Sequence, residues 1–135
     1  RTPEGLYRVR ADQLNPYSNF HLAFNLGFPN AYDRANGRTG SYLMVHGSCA
    51  SIGCYAMTDT GIEEIYALVE AALNGGQSRF WVHAFPARLS EAWLQAQHES
   101  PWHTFWQDLK VCHDIFETRG EVPAVSVRDA RYVCR

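Results

Sequence analysis

A chain of 135 residues with 46% apolar side chains is long enough for one domain with a real core. Its 12 basic and 14 acidic residues leave a net charge of −2 and no basic stripe to track phosphates, so nucleic acid is a poor partner. No apolar run approaches the length needed to span a bilayer, and no transmembrane segment is expected.

The chain opens on Arg1 rather than Met and reads as a processed or trimmed product, so its start says nothing about compartment. Gly5-Leu6-Tyr7-Arg8-Val9-Arg10 alternates like a half-buried strand, and so does the stretch from Phe20 to Leu26. Phe28 to Gly40 reads as a polar loop punctuated by Pro29, Asn30, Asn36 and Gly37. Ser41 to His46 is predicted as a strand with Leu43 and Val45 on one face and Tyr42, Met44 and His46 on the other.

After Gly47 a compact loop leads to Cys54, and a helix follows. Thr60 with Glu63 three residues on fits a capping box. Ile62, Ile65, Leu68, Val69, Ala72 and Leu73 make its apolar stripe, and Asn74-Gly75-Gly76 stops it. Arg79 to Phe85 is predicted as a strand. Helix starts again near Ser90, breaks at Ser100-Pro101 and resumes with Trp102, Phe105, Trp106, Leu109, Cys112 and Phe116 on one face. Gly120 ends it, and Pro123 to Val127 fits a last strand. The expected class is α+β: a mostly antiparallel sheet or sandwich, one helix after the motif, and a helical C-terminal section, within a single domain over 1–135.

The four cysteines are too few for a disulfide scaffold. Cys112 and Cys134 pair if the last strand returns to the long helix. Cys49 either packs or, five positions before Cys54, forms a masking disulfide with it. His98, His103, His113 and Cys112 match no standard closed zinc spacing, so neither a metal nor another cofactor is expected.

The stretch that carries chemistry runs from Val45 to Met57. A histidine closing a strand, a loop of small residues, then Ser51-Ile52-Gly53-Cys54 is suited to nucleophilic catalysis. A thiol with a pKa near ~8.5 is mostly protonated at neutral pH and needs a base beside it. Eight positions separate His46 from Cys54, which lets a hairpin-like return bring the two together. Gly53 permits a sharp turn that exposes its own N–H and that of Cys54, a pair fit to hold an oxyanion.

This stretch resembles the signature of the YkuD-like L,D-transpeptidases: His46-Gly47, then Ser51-x-Gly53-Cys54, then a hydrophobic residue, x and Met57. Thr2-Pro3-Glu4-Gly5-Leu6-Tyr7 resembles that family's lead-in to its sheet, and the Phe28–Arg34 and Gly37–Gly40 segments are similar to its YafK-like subgroup. The resemblance implies an exported enzyme of the periplasm or cell envelope acting on peptidoglycan stem peptides. Cys54 would attack the carbonyl on the L-centre of diaminopimelate, His46 would take the thiol proton, the Gly47 carbonyl would orient the imidazole, and the Gly53 and Cys54 N–H groups would hold the oxyanion. Ser51 and Tyr42 would shape the loop or touch substrate, and Arg34 and Arg38 would meet its carboxylates, with Asp33 at its ammonium group. A solvated turn closed by its own ion pairs is the other reading of Asp33, Arg34 and Arg38.

Ile52 stands where many members carry a second histidine and Ala56 where many carry an arginine, which opens the acceptor to water as well as to a second peptide. L,D-carboxypeptidase, amidase and transpeptidase activities all fit, and the alternative is a catalytically silent peptidoglycan-binding module on the same fold. The family's sheet usually begins before the Thr-Pro lead-in, so one or more strands are expected to be missing. No residue pattern here fixes an oligomeric state.

Overall fold

Leu6, Tyr7 and Val9 are buried while Arg8 faces out, and this run forms strand β1 (Gly5–Val9). The computed structural model describes residues 2–135, which fold as two compact units.

The first unit runs to Asn30 and resumes over Thr39–Ala84. In it β1 pairs antiparallel with β6 (Phe80–Ala84), Gly5 opposite Ala84 and Val9 opposite Phe80. A second sheet has the order β2 (Leu14–Ser18), β3 (His21–Asn25), β4 (Met44–His46), β5 (Tyr55–Ala56). Its first two pairings are antiparallel and the last, β4 with β5, is parallel. Helix α2 (Asp59–Asn74) buries Ile62, Tyr66 and Val69, spaced one turn apart, in this unit. Tyr7, Val9, Phe24, Leu26, Val45 and Ile62 make its core, each contributing about 1.5–3 kcal/mol of burial.

The second unit comprises Ala31–Arg38 and Phe85–Arg135. It holds α1 (Ala31–Ala35), α3 (Glu91–Ala96), α4 (His103–Arg119) and a hairpin of β7 (Val125–Arg128) with β8 (Arg131–Cys134). Ser90 caps α3 through the Trp93 N–H, and Gly120 at φ 67 closes α4 in the left-handed conformation that only glycine adopts cheaply. Tyr32 stacks on Phe105 at 4.9 Å and on Tyr132 at 4.6 Å. Cys112 and Cys134 form a disulfide between α4 and β8, the pairing open to them if the last strand returned.

The class is α+β as expected, with the strands of the described residues divided among three sheets. Several elements differ in detail from their sequence patterns. The strand expected over Ser41–His46 is only β4, because Tyr42 sits at φ 56 and breaks the extended run. Helix α2 is capped by Thr58, whose hydroxyl accepts the Gly61 N–H, and Thr60 and Glu63 lie inside it. Leu68, a member of the apolar stripe, is 74% exposed. The loop before β4 contains α1. Neither β2 nor β8 was legible: β2 carries Pro16 and a register shift, and the turn before β8 puts Asp129 and Ala130 at positive φ.

Candidate active site

A parallel strand pair ordinarily needs a crossover of a dozen or more residues. Between β4 and β5 only residues 47–54 intervene. That tight return is made by unusual backbone: Ser48 at φ 63 and Gly53 at φ 85. Gly53 takes this conformation at no steric cost, whereas at Ser48 it costs on the order of 1–2 kcal/mol. The pairing sets Val45 beside Tyr55 and His46 beside Ala56, so Cys54, one residue before β5, lies next to Met44.

His46 is buried, and its Nδ1 lies 2.5 Å from the carbonyl oxygen of Gly47. A carbonyl only accepts, so Nδ1 carries the proton and Nε2 is the nitrogen left to act as a base. The ring of Phe20 packs on the imidazole with centroids 4.8 Å apart. Gly47 has no room for a side chain: a Cβ there would stand 2.5 Å from the Phe20 carbonyl oxygen and 2.7 Å from Oδ1 of Asp59.

Cys54 is a free, half-buried thiol. Its sulfur accepts the Met44 N–H at 3.5 Å and faces the Tyr42 carbonyl at 3.7 Å. Its hydrogen bonds therefore run to the backbone leading into β4 and not to the imidazole. Ser51 donates its hydroxyl to the Cys54 carbonyl at 2.7 Å, which closes the loop just before β5. The side chains of Tyr42, on the segment before β4, and Ile52, on the segment before Cys54, are exposed, at 78% and fully. Cys49 is exposed and free, with no bond to Cys54. The apolar hollow of about 490 Å³ lined by Phe24, Val45, Tyr55, Phe80 and Val82 includes neither His46 nor Cys54.

The family model of the YkuD L,D-transpeptidase catalytic domain matches residues 1–101 of this chain. The chain belongs to the L,D-transpeptidase family. Among curated proteins it is similar to two carrying the name "Putative L,D-transpeptidase YafK", from Escherichia coli strain K12 and from Escherichia coli O157:H7. Each is 48% identical over 133 residues, covering 98% of this chain and 54% of the relative. The chain thus spans about half the length of the curated relatives it matches.

His46, Gly47, Ser51, Gly53, Cys54 and Tyr42 all lie in the first unit. Arg34 and Arg38 belong to the second unit. Arg34 is exposed on α1. Arg38 pairs with the buried Asp33 carboxylate at 3.0 Å and lies over the rings of Tyr32, Trp102 and Phe105 at 5.1–5.7 Å, the turn-closing arrangement among the two readings of that segment. Two neighbours of the site escaped sequence reasoning. Phe20 lies at a hairpin turn, and Asp59, at the head of α2, resembles any acidic helix start; neither carries a local signal of contact with residues 46–48. Among the described residues no three His, Cys, Asp or Glu side chains converge as a metal set would, and no helix is long and apolar enough to cross a membrane.

Proposed function

We propose that this domain is a cysteine acyl-transfer enzyme that cuts peptidoglycan stem peptides at the L-centre of diaminopimelate. The observation that carries the reading is the buried His46 with Nδ1 held on the Gly47 carbonyl, set at the end of β4 beside β5, the strand that Cys54 immediately precedes. A tautomer fixed this way leaves Nε2 basic, which a thiol nucleophile requires.

In the proposed reaction the Cys54 sulfur leaves the Tyr42 carbonyl for Nε2, and catalytic contacts often tighten only when substrate is bound. His46 takes the thiol proton as sulfur bonds to the carbonyl carbon, and the Gly53 and Cys54 N–H groups receive the negative oxygen. The C–N bond then breaks, the amine (D-Ala or another) leaves with the proton from His46, and a thioester remains. Water or an incoming amine attacks it, gives its proton to His46 and frees the sulfur. With Ala56 in place of a carboxylate-binding arginine, hydrolysis is the favoured fate.

Tyr42, whose carbonyl meets the sulfur, and Ser51, bonded to the Cys54 carbonyl, are the proposed substrate contacts. A carboxylate contact from Arg34 or Arg38 is part of the same proposal, although the Asp33 ion pair favours a structural use of Arg38. The Cys112–Cys134 disulfide supports an oxidising compartment, the periplasm or envelope.

Purified protein incubated with disaccharide-tetrapeptide is expected to release D-Ala, and Cys54→Ala to release none; a D-amino acid added to the mixture separates exchange from hydrolysis. Stem-peptide binding without release, unchanged in Cys54→Ala, would support a silent binding module. The observation on that side is the sulfur's attachment to backbone in place of the imidazole.

A further inference from the structure

The Gly47 carbonyl that meets His46 is one edge of a peptide unit whose other edge is the Ser48 N–H. Because that unit is planar and trans, fixing the direction of the N–H fixes the direction of the carbonyl. The Ser48 N–H donates to Oδ1 of Asp59 at 2.8 Å. Two further bonds tie the same turn to the start of α2: Thr58 N–H to the Ser48 carbonyl at 2.8 Å, and Met57 N–H to the His46 carbonyl at 2.9 Å. Asp59 supplies the side-chain contact of the three, and it reaches the peptide plane whose carbonyl bonds the imidazole. The missing Cβ of Gly47 is what lets this carboxylate come so close, since it would lie 2.7 Å from Oδ1.

We propose that Asp59 is the positioning residue of the base: by gripping the Ser48 N–H it aims the Gly47 carbonyl at Nδ1 of His46, which holds the imidazole in the tautomer that presents Nε2. This rests on His46 being the base in the function proposed above. The contact is a hydrogen bond to a carboxylate oxygen, so an amide oxygen in the same place serves, whereas an oxygen carried one methylene further does not.

The test compares Asp59→Asn, Asp59→Ala and Asp59→Glu in the 135-residue chain, each first checked for a native melting transition. Nitrogen NMR of the His46 ring reads the tautomer directly. The pH profile of Cys54 alkylation by iodoacetamide, resolved from Cys49 by peptide mapping, reads the competence of the pair without any substrate. Turnover of disaccharide-tetrapeptide, split into kcat and KM, reads catalysis. Asp59→Asn is expected to keep the wild-type ring shifts and kcat within about threefold, while Asp59→Ala and Asp59→Glu lose roughly tenfold or more in kcat with little change in KM. Where Asp59→Ala does not fold, Asn and Glu carry the comparison.

Wild-type ring shifts and alkylation profile in Asp59→Ala would overturn the proposal. So would Asn failing while Glu succeeds, which would make charge and not geometry the cause. A wild-type protein inert towards stem peptides defeats the proposed function instead, and the ring spectrum still judges Asp59 on its own.

Discussion

Nδ1 of His46 donates to the carbonyl of its own neighbour, Gly47, so the residue that orients the imidazole is the next link of the chain and contributes only backbone. No side chain can be mutated to remove that carbonyl. The imidazole itself can be removed. His46→Ala is expected to slow D-Ala release by about 10²–10⁴-fold, the usual contribution of a positioned base, and to slow alkylation of Cys54 at neutral pH. Steady-state release assays and timed iodoacetamide labelling measure both; unaltered labelling would separate the imidazole from the thiol.

Asp33 is fully buried and its carboxylate meets Arg38, whose side chain is 25% exposed. Breaking a buried pair leaves one charge without its partner, so Arg38→Ala should lower stability by about 3 kcal/mol in urea denaturation. Arg38→Lys keeps the charge but loses the planar stack on Tyr32 and Phe105, and should fall between. KM for stem peptide is expected to hold steady in whatever fraction remains folded. A raised KM with wild-type stability would return Arg38 to substrate binding.

The Cys112–Cys134 disulfide closes a sequence separation of 22 residues. Loops of that order gain about 3 kcal/mol from a cross-link in the chain-entropy account, so dithiothreitol or Cys134→Ala should reduce unfolding free energy by that much. Alkylation of the unfolded, unreduced chain followed by intact-mass analysis should add two labels, on Cys49 and Cys54. Four labels would show the bridge to be absent.

Helix α2, strands β1, β3 and β6 and the α3–α4 section were legible because their apolar residues recur with the right period and their ends carry Gly, Pro or Ser. What escaped has equally local causes. Tyr42, Asp129 and Ala130 occupy positive φ without being glycine, so no composition rule marks the end of β4's approach or the turn before β8. In the site, His46 and Cys54 stood out by residue type and spacing. The sulfur's bonds to Met44 and Tyr42, and the reach of Asp59 back to Ser48, are tertiary contacts that leave no trace in a periodic pattern.

Burial of the Tyr55 hydroxyl, with the Glu4 carboxylate adding to it, pushes its pKa from 10.0 to about 12. The hydroxyl donates to the Pro3 carbonyl at 2.5 Å. The native state holds this proton more tightly than the unfolded chain does. Stability from the group is therefore complete below pH 10 and is lost as pH climbs from there towards about 12. Denaturation across that window, with tyrosinate absorbance followed in parallel, should show the decline, and Tyr55→Phe should flatten it while costing about 1 kcal/mol at neutral pH. An equally steep alkaline loss in the Phe variant would assign the effect elsewhere.

The proposed reaction leaves a covalent acyl group on one particular sulfur, that of Cys54. Rapid acid quenching of protein mixed with disaccharide-tetrapeptide, followed by peptide mapping, should find the Cys54 peptide heavier by the substrate acyl group less D-Ala, with Cys49 unmodified. A Cys54 peptide of unchanged mass while D-Ala accumulates would contradict the thioester.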